Sequence, residues 1–118
     1  MKLERVFALK FAAVYPMYVR KAEAKGRTQG EVDEVIRWLT GYTDGGLRAQ
    51  ATGDGDLQAF FDQAPAFNPH ADLVTGSVCG VRVQDVPDPL MRRIRILDKL
   101  VDELAKGRPM AKILRVPT

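Results

Sequence analysis

The sequence predicts a mainly α fold, a small orthogonal bundle of about five helices in which one short β segment is allowed around 78–83. Three observations carry the prediction. Thr28 followed three residues later by Glu31 forms a capping box, in which hydroxyl and carboxylate each satisfy a free backbone N–H at a helix start. Asp88-Pro89 joins a cap residue to a proline suited to a first helical turn, and the apolar side chains that follow recur every three or four positions. Gly26, Gly41 and Gly107 stand where such runs stop, as residues that accept a left-handed backbone.

Taken in order, Phe11, Val14, Tyr15, Tyr18 and Ala22 mark one helical face interrupted by Pro16. Proline is costly inside a helix, so the helix is expected to start at Pro16 and end near Gly26, with Phe11 to Tyr15 leading in. The second helix follows Thr28 and carries a tight stripe of Val32, Val35, Ile36 and Leu39 up to Gly41. Gly45, Gly46, Gly53 and Gly55 make the stretch from Tyr42 to Asp56 a loop, with one helical turn around Leu47 to Ala51. Asp56 caps a short helix bearing Leu57, Phe60 and Phe61, which Pro65 stops; Asn68-Pro69 signals a turn.

From Leu73 to Val83 two periods compete. Val74, Val78 and Val81 fit helical spacing and Val74, Val78, Val81 and Val83 also suit a strand; we read the stretch as helix, with a short strand as the alternative. In the long helix from Pro89 to Lys106, Leu90, Ile94, Leu97, Val101 and Leu104 fall within about 80° of one another. Ile96 and Leu100 widen that face, which requires either a central position or cover from a second subunit. Met110, Ile113 and Leu114 after Pro109 predict one further short helix.

The 118 residues are read as a single helical domain, because a chain of this size can bury roughly two-thirds of its surface. With 46% hydrophobic and 28% charged residues, the composition excludes disordered, fibrous and membrane classes. Lys2, Glu4, Arg5 and Lys10 break the early apolar runs before a leader or a span could form, so a cytoplasmic location and no membrane partner are expected. Cys79 is the one cysteine, which precludes an internal disulfide. Charge is segregated: residues 1–27 hold seven Lys/Arg against two acids, 28–88 three against ten, and 89–118 eight against three. Ends brought together would give a basic surface suited to nucleic acid or to self-association, or would pair with acids inside the fold, the commonest outcome.

Catalytic and metal patterns are weak. His70 and Cys79 could form a dyad only through space, without a third orienting group, and a solvated loop histidine is the simpler reading. Structural zinc wants four Cys/His ligands, and the chain has two such residues. Counting twelve from Asp54 in the Asp54-Gly55-Asp56 run reaches Pro65 where a calcium loop needs glutamate. Gly76 to Gly80 matches no phosphate-binding fingerprint. No cofactor is expected, and the balance leans against an enzyme.

Trp38 and Tyr42, beside Tyr15 and Tyr18, could make an aromatic platform, although core packing is the simpler account. Arg92, Arg95, Lys99 and Lys106 share the polar face of the last helix with Asp98, Asp102 and Glu103, which favours self-pairing over phosphate contacts. Arg93 points between Leu100 and Leu104, inside the apolar arc. It is read either as snorkelling to water or as an interface or pocket arginine.

Val14-Tyr15-Pro16, Lys25 to Thr28 leading into Glu31 to Glu34, Trp38 to Tyr42, Phe60 to Pro65, Val78 to Arg82, Asp88 to Met91 and Leu97 to Gly107 together resemble the small bacterial family named Domain of Unknown Function 2200. They cover nearly the whole chain. The resemblance implies a small prokaryotic protein and brings no established activity, so it assigns no site residue. The preferred functional expectation is a non-enzymatic helical binding or interaction module, a homo-oligomer formed through the wide face of the Pro89–Lys106 helix. The alternatives are a nucleic-acid-binding protein using the basic ends, and a small-ligand protein or enzyme with a pocket near Trp38, Tyr42, Cys79 and Arg82.

Overall fold

A computed structural model describes residues 3–116. Among them, α1 (Leu3–Phe7), α2 (Phe11–Glu23), α3 (Gln29–Thr40), α4 (Asp44–Thr52) and α5 (Leu57–Asp62) precede a 3-10 turn at Pro69–Leu73. A hairpin of β1 (Ser77–Val78) and β2 (Val81–Arg82) follows, then a second 3-10 turn at Val83–Asp85, α6 (Pro89–Ala105) and α7 (Met110–Ile113). The fold is mainly α, as the periodicity predicts.

Several starts and stops are local chemistry. The capping box is formed at Thr28 and Glu31, and α3 ends at Gly41, whose φ is 78°. That glycine is doubly required, since a Cβ there would lie 2.8 Å from the backbone nitrogen of Ala66. The Asp56 side chain accepts from the Ala59 N–H, and Asp88 from the Met91 N–H. After α6, Gly107 takes φ 86°, and the Arg108 N–H donates back to the Glu103 carbonyl.

The predicted start at Pro16 is wrong: α2 begins at Phe11 and carries Pro16 inside it. A distant segment sets the start. The Phe11 N–H donates to the Gly55 carbonyl and the Leu57 N–H to the Leu9 carbonyl, so Lys10 and Asp56 pair as an antiparallel bridge. Phe11 is then wholly buried and stacked on Phe60 at 3.9 Å between ring centroids. Losing such a ring would cost about 3–5 kcal/mol, enough to carry an interior proline at about 3 kcal/mol.

The glycine-rich loop is corrected too. Asp44 to Thr52 is helix, because the Thr43 hydroxyl caps the Gly46 N–H and Leu47 is buried against the body. Leu73 to Val83 is not helix. Ser77 pairs with Arg82 and Val78 with Val81, and the two linking residues, Cys79 (φ 51°) and Gly80 (φ 77°), are both left-handed. This is the turn whose twist matches flanking strands. The helical spacing of the valines was coincidence, since only Val74, Val78 and Val83 reach the core.

α6 is central: it packs against α2, α3, α5, α7, β1 and the second 3-10 turn. Ile94, Ile96, Leu97, Leu100, Val101 and Leu104 are all buried. The wide face expected to mediate self-association is therefore occupied by the chain's own elements.

Candidate functional site

Concave regions border α6 on both sides. The first is a groove of about 490 Å³ whose walls are overwhelmingly apolar. Val6 and Leu9 enter from α1 and the turn after it, Ala13, Val14 and Met17 from α2, Met91, Ile94 and Val101 from α6, and Val78 and Cys79 from the hairpin. Leu9 and Met17 are among the exposed large apolar side chains. The groove exists because α2 is apolar over more than one face: Phe11 and Ala22 go to the core, while Ala13, Val14 and Met17 turn to the other side.

Its polar end is made by Tyr18, Lys21, Arg95 and Asp98. The Tyr18 hydroxyl donates to Asp98 Oδ1 at 2.5 Å, and Arg95 Nη1 donates to Oδ2 at 3.4 Å. Lys21 pairs instead with Asp102 at 3.1 Å. Burial raises the Asp98 carboxyl above its ordinary range, and the Tyr18 bond and the Arg95 and Lys21 charges only partly oppose it. Burial, and then the negative charge of Asp98, hold the Tyr18 phenol well above its usual value.

That raised carboxyl gives an expected result. A group that binds its proton more readily folded than unfolded weakens the fold as pH rises through its folded-state pKa. Measured by urea unfolding, wild type should therefore gain stability relative to Asp98→Asn as pH falls from neutrality towards about 4. A difference between the two proteins that stays flat across that window would show that Asp98 is not desolvated as described.

The second region is a cleft of about 370 Å³ at the start of α6, lined by Phe67, Pro69, Asp72, Val86, Arg92 and Arg93 among others. The Arg93 guanidinium carbon lies 4.1 Å from the centroid of the Phe67 ring. Arg93 is half-buried there.

The other residues singled out from sequence do not converge. Tyr42 is a core residue, stacked on Phe60 at 5.0 Å with its hydroxyl donating to the Phe60 carbonyl at 2.7 Å. Trp38 is half-buried against that core, and its carbonyl accepts from Asn68 Nδ2. Tyr15 bonds Asp33 and Tyr18 bonds Asp98, so the four aromatics form no common platform. Burial and the Asp33 bond push the Tyr15 phenol up to about 12. Cys79 lies exposed at the hairpin tip on the rim of the apolar groove. Arg82 pairs with Asp85 at 3.4 Å and lines a separate depression with Pro87 and Arg95. His70 sits in the first 3-10 turn, and no hydrogen bond joins it to Cys79. Among the described residues no group of three or more His, Cys, Asp or Glu could hold a metal ion.

Among the described residues the basic ends meet the acidic middle segment in two ion pairs, Arg27–Glu31 and Arg92–Asp72, and otherwise pair with their own few acids. Lys21 from one basic end and Lys106 from the other share Asp102. Lys99, Arg108 and Arg115 converge on buried Glu103, with Arg115 bidentate at 2.6 and 2.7 Å. Sequence reasoning missed the pairing of Tyr18 with Asp98, 80 positions apart. The one available signal was the double apolar character of α2.

A mainly helical protein with an apolar groove on one side of its central helix and an arginine-lined cleft on the other is the class that fold and sites define. The chain belongs to the family of uncharacterized proteins conserved in bacteria (DUF2200), whose model matches residues 5–115. Its fold is similar to the crystal structure of the uncharacterized protein SP1917, with a TM-score of 0.89 and 43% sequence identity over 97% of this chain and 93% of that one. None of the curated proteins matches it. No helix among the described residues is long and apolar enough to cross a membrane.

Proposed function

We propose that the protein is a non-enzymatic binding module that takes a small, mainly apolar molecule with one polar end in the groove between α1–α2 and α6. The carrying observation is the groove's composition: apolar walls that close on a single polar end, at Tyr18, Asp98 and Arg95. Its volume of about 490 Å³ lies within the usual span of small-molecule sites, roughly 300–1,000 Å³. Apolar contact would supply most of the affinity, and the second oxygen of Asp98, held only by the long Arg95 bond, is available to orient the polar end. Binding is favoured over catalysis because the Tyr18 hydroxyl is already spent on Asp98 Oδ1, which suits the polar end to orienting a ligand.

The probe is anilinonaphthalene sulfonate, read by its fluorescence, with alkylation of Cys79 at the rim as a second readout. Saturable enhancement is expected, with slower alkylation of the occupied protein. Ala13→Trp fills the groove from an exposed position without touching the core and should weaken binding about tenfold, equivalent to about 1.4 kcal/mol. Absence of saturable binding overturns the reading. So does dimer formation at tens of micromolar that itself protects Cys79, since a second copy would then be the occupant.

A further inference from the structure

The cleft on the opposite side of α6 carries an inference that does not rest on the groove. Six arginines among the described residues are half-buried: Arg27, Arg37, Arg92, Arg93, Arg95 and Arg115. A guanidinium removed from water needs acceptors, because its donors otherwise forfeit their hydration. Four of the six have them. Arg27 bonds Glu31 and two carbonyls, Arg37 bonds Asp44, Arg95 bonds Asp98, and Arg115 bonds Glu103. Among the described residues Arg92 and Arg93 find no hydrogen-bond acceptor, and they are adjacent in the chain and line the same cleft.

Their surroundings keep them that way. Arg92 approaches Asp72 only to 3.8 Å, beyond hydrogen-bonding reach, and Asp72 is itself 84% exposed. The Arg92 Nε, like that of Arg37, is buried with no acceptor among the described residues. Arg93 lies over the Phe67 ring, which takes up the face of the guanidinium and leaves its in-plane N–H donors for another group. Asn68, also in the wall, already accepts through Oδ1 from the His70 N–H and donates through Nδ2 to the Trp38 carbonyl.

We infer that this cleft binds the phosphate group of a small phosphate monoester, held by Arg92 and Arg93 together, with the ester's body against Phe67 and the proline-lined wall. Two guanidinium forks that line one cleft can share the three free oxygens of a phosphate monoester. A carboxylate has two oxygens in one plane, which a single fork satisfies. The charge balance agrees, since two arginines against one loosely held Asp72 leave an unmet positive charge. The Pro89 end of α6 borders the same cleft but is already capped by the Asp88 carboxylate, so the positive charge of the cleft is that of the two arginines.

The test is calorimetric titration of the full chain with phenyl phosphate, with benzoate and a short single-stranded oligonucleotide as comparison arms. Saturable binding of phenyl phosphate is expected at about 150 mM salt, with an affinity in the sub-millimolar range. Arg92→Gln with Arg93→Gln should weaken it at least about tenfold. Because neither arginine is hydrogen-bonded, the double variant should fold, which its circular dichroism will check. Arg82→Gln, an exposed arginine outside the cleft, should bind as wild type does. No saturation up to about 10 mM, equal binding by the double variant, benzoate binding as tight as phenyl phosphate, or a preference for the oligonucleotide would each overturn the assignment. A groove-filling Ala13→Trp protein that still binds phenyl phosphate keeps this result separate from that of the apolar groove.

Discussion

Phe60→Ala is expected to lower the unfolding free energy by about 3–5 kcal/mol, the range for removing a buried aromatic ring. Phe60 is wholly buried, with Phe11 stacked at 3.9 Å, Tyr42 at 5.0 Å and the Phe61 ring edge-on at 5.1 Å. The loss is more than the ring's transfer from water, because each neighbour has another task. Phe11 anchors the start of a helix that contains a proline, and the Tyr42 hydroxyl bonds the Phe60 carbonyl. A cavity at this point loosens α2, α5 and the end of α3 together. Small domains are stable by only about 5–15 kcal/mol, so the variant should show a greatly lowered urea midpoint. A midpoint within about 1 kcal/mol of wild type would mean the cluster is not the centre of the core.

Glu103→Ala should cost a comparable amount, about 3–5 kcal/mol, for a different reason. Glu103 is 4% exposed and holds Arg115 in a bidentate pair, with Arg108 at 3.0 Å and Lys99 at 3.6 Å. Removing it leaves cations without a partner; the Arg115 and Lys99 side chains are each only 14% exposed. It also frees the segment after α7 from the central helix. Arg115→Ala should cost clearly less, since Glu103 keeps two partners. Equilibrium unfolding of the two variants in parallel checks the ordering; equal losses would show that Arg115 alone gives the cluster its worth. Added salt should change the Glu103→Ala loss little, because a buried pair is poorly screened.

Features written within a few consecutive residues were legible in the sequence. The Thr28–Glu31 capping box, the Asp56 and Asp88 caps, the glycine stops at positions 41 and 107, and the stripe from Ile94 to Leu104 all appear in the structure as read. Each depends on bonds or periodicity spanning one or two helical turns. The groove was not legible: Tyr18 and Asp98 carry no mark of each other, and Cys79 was grouped with Trp38 and Tyr42, which the fold holds in and against the core.

By itself, then, the sequence determined the helical class, the capped starts of α3, α5 and α6 and the breadth of the apolar face of α6, because hydrophobic periodicity and capping are local. That the chain's own elements cover that face was decided by the tertiary structure. Only tertiary structure decided where α2 begins, that the glycine-rich run after Gly41 coils into α4, that the valine stretch is a hairpin, and which polar groups meet across α6. In each of these, contacts between distant segments contribute several kcal/mol, whereas the local preferences they override differ by about 1 kcal/mol per residue, and about 3 for proline.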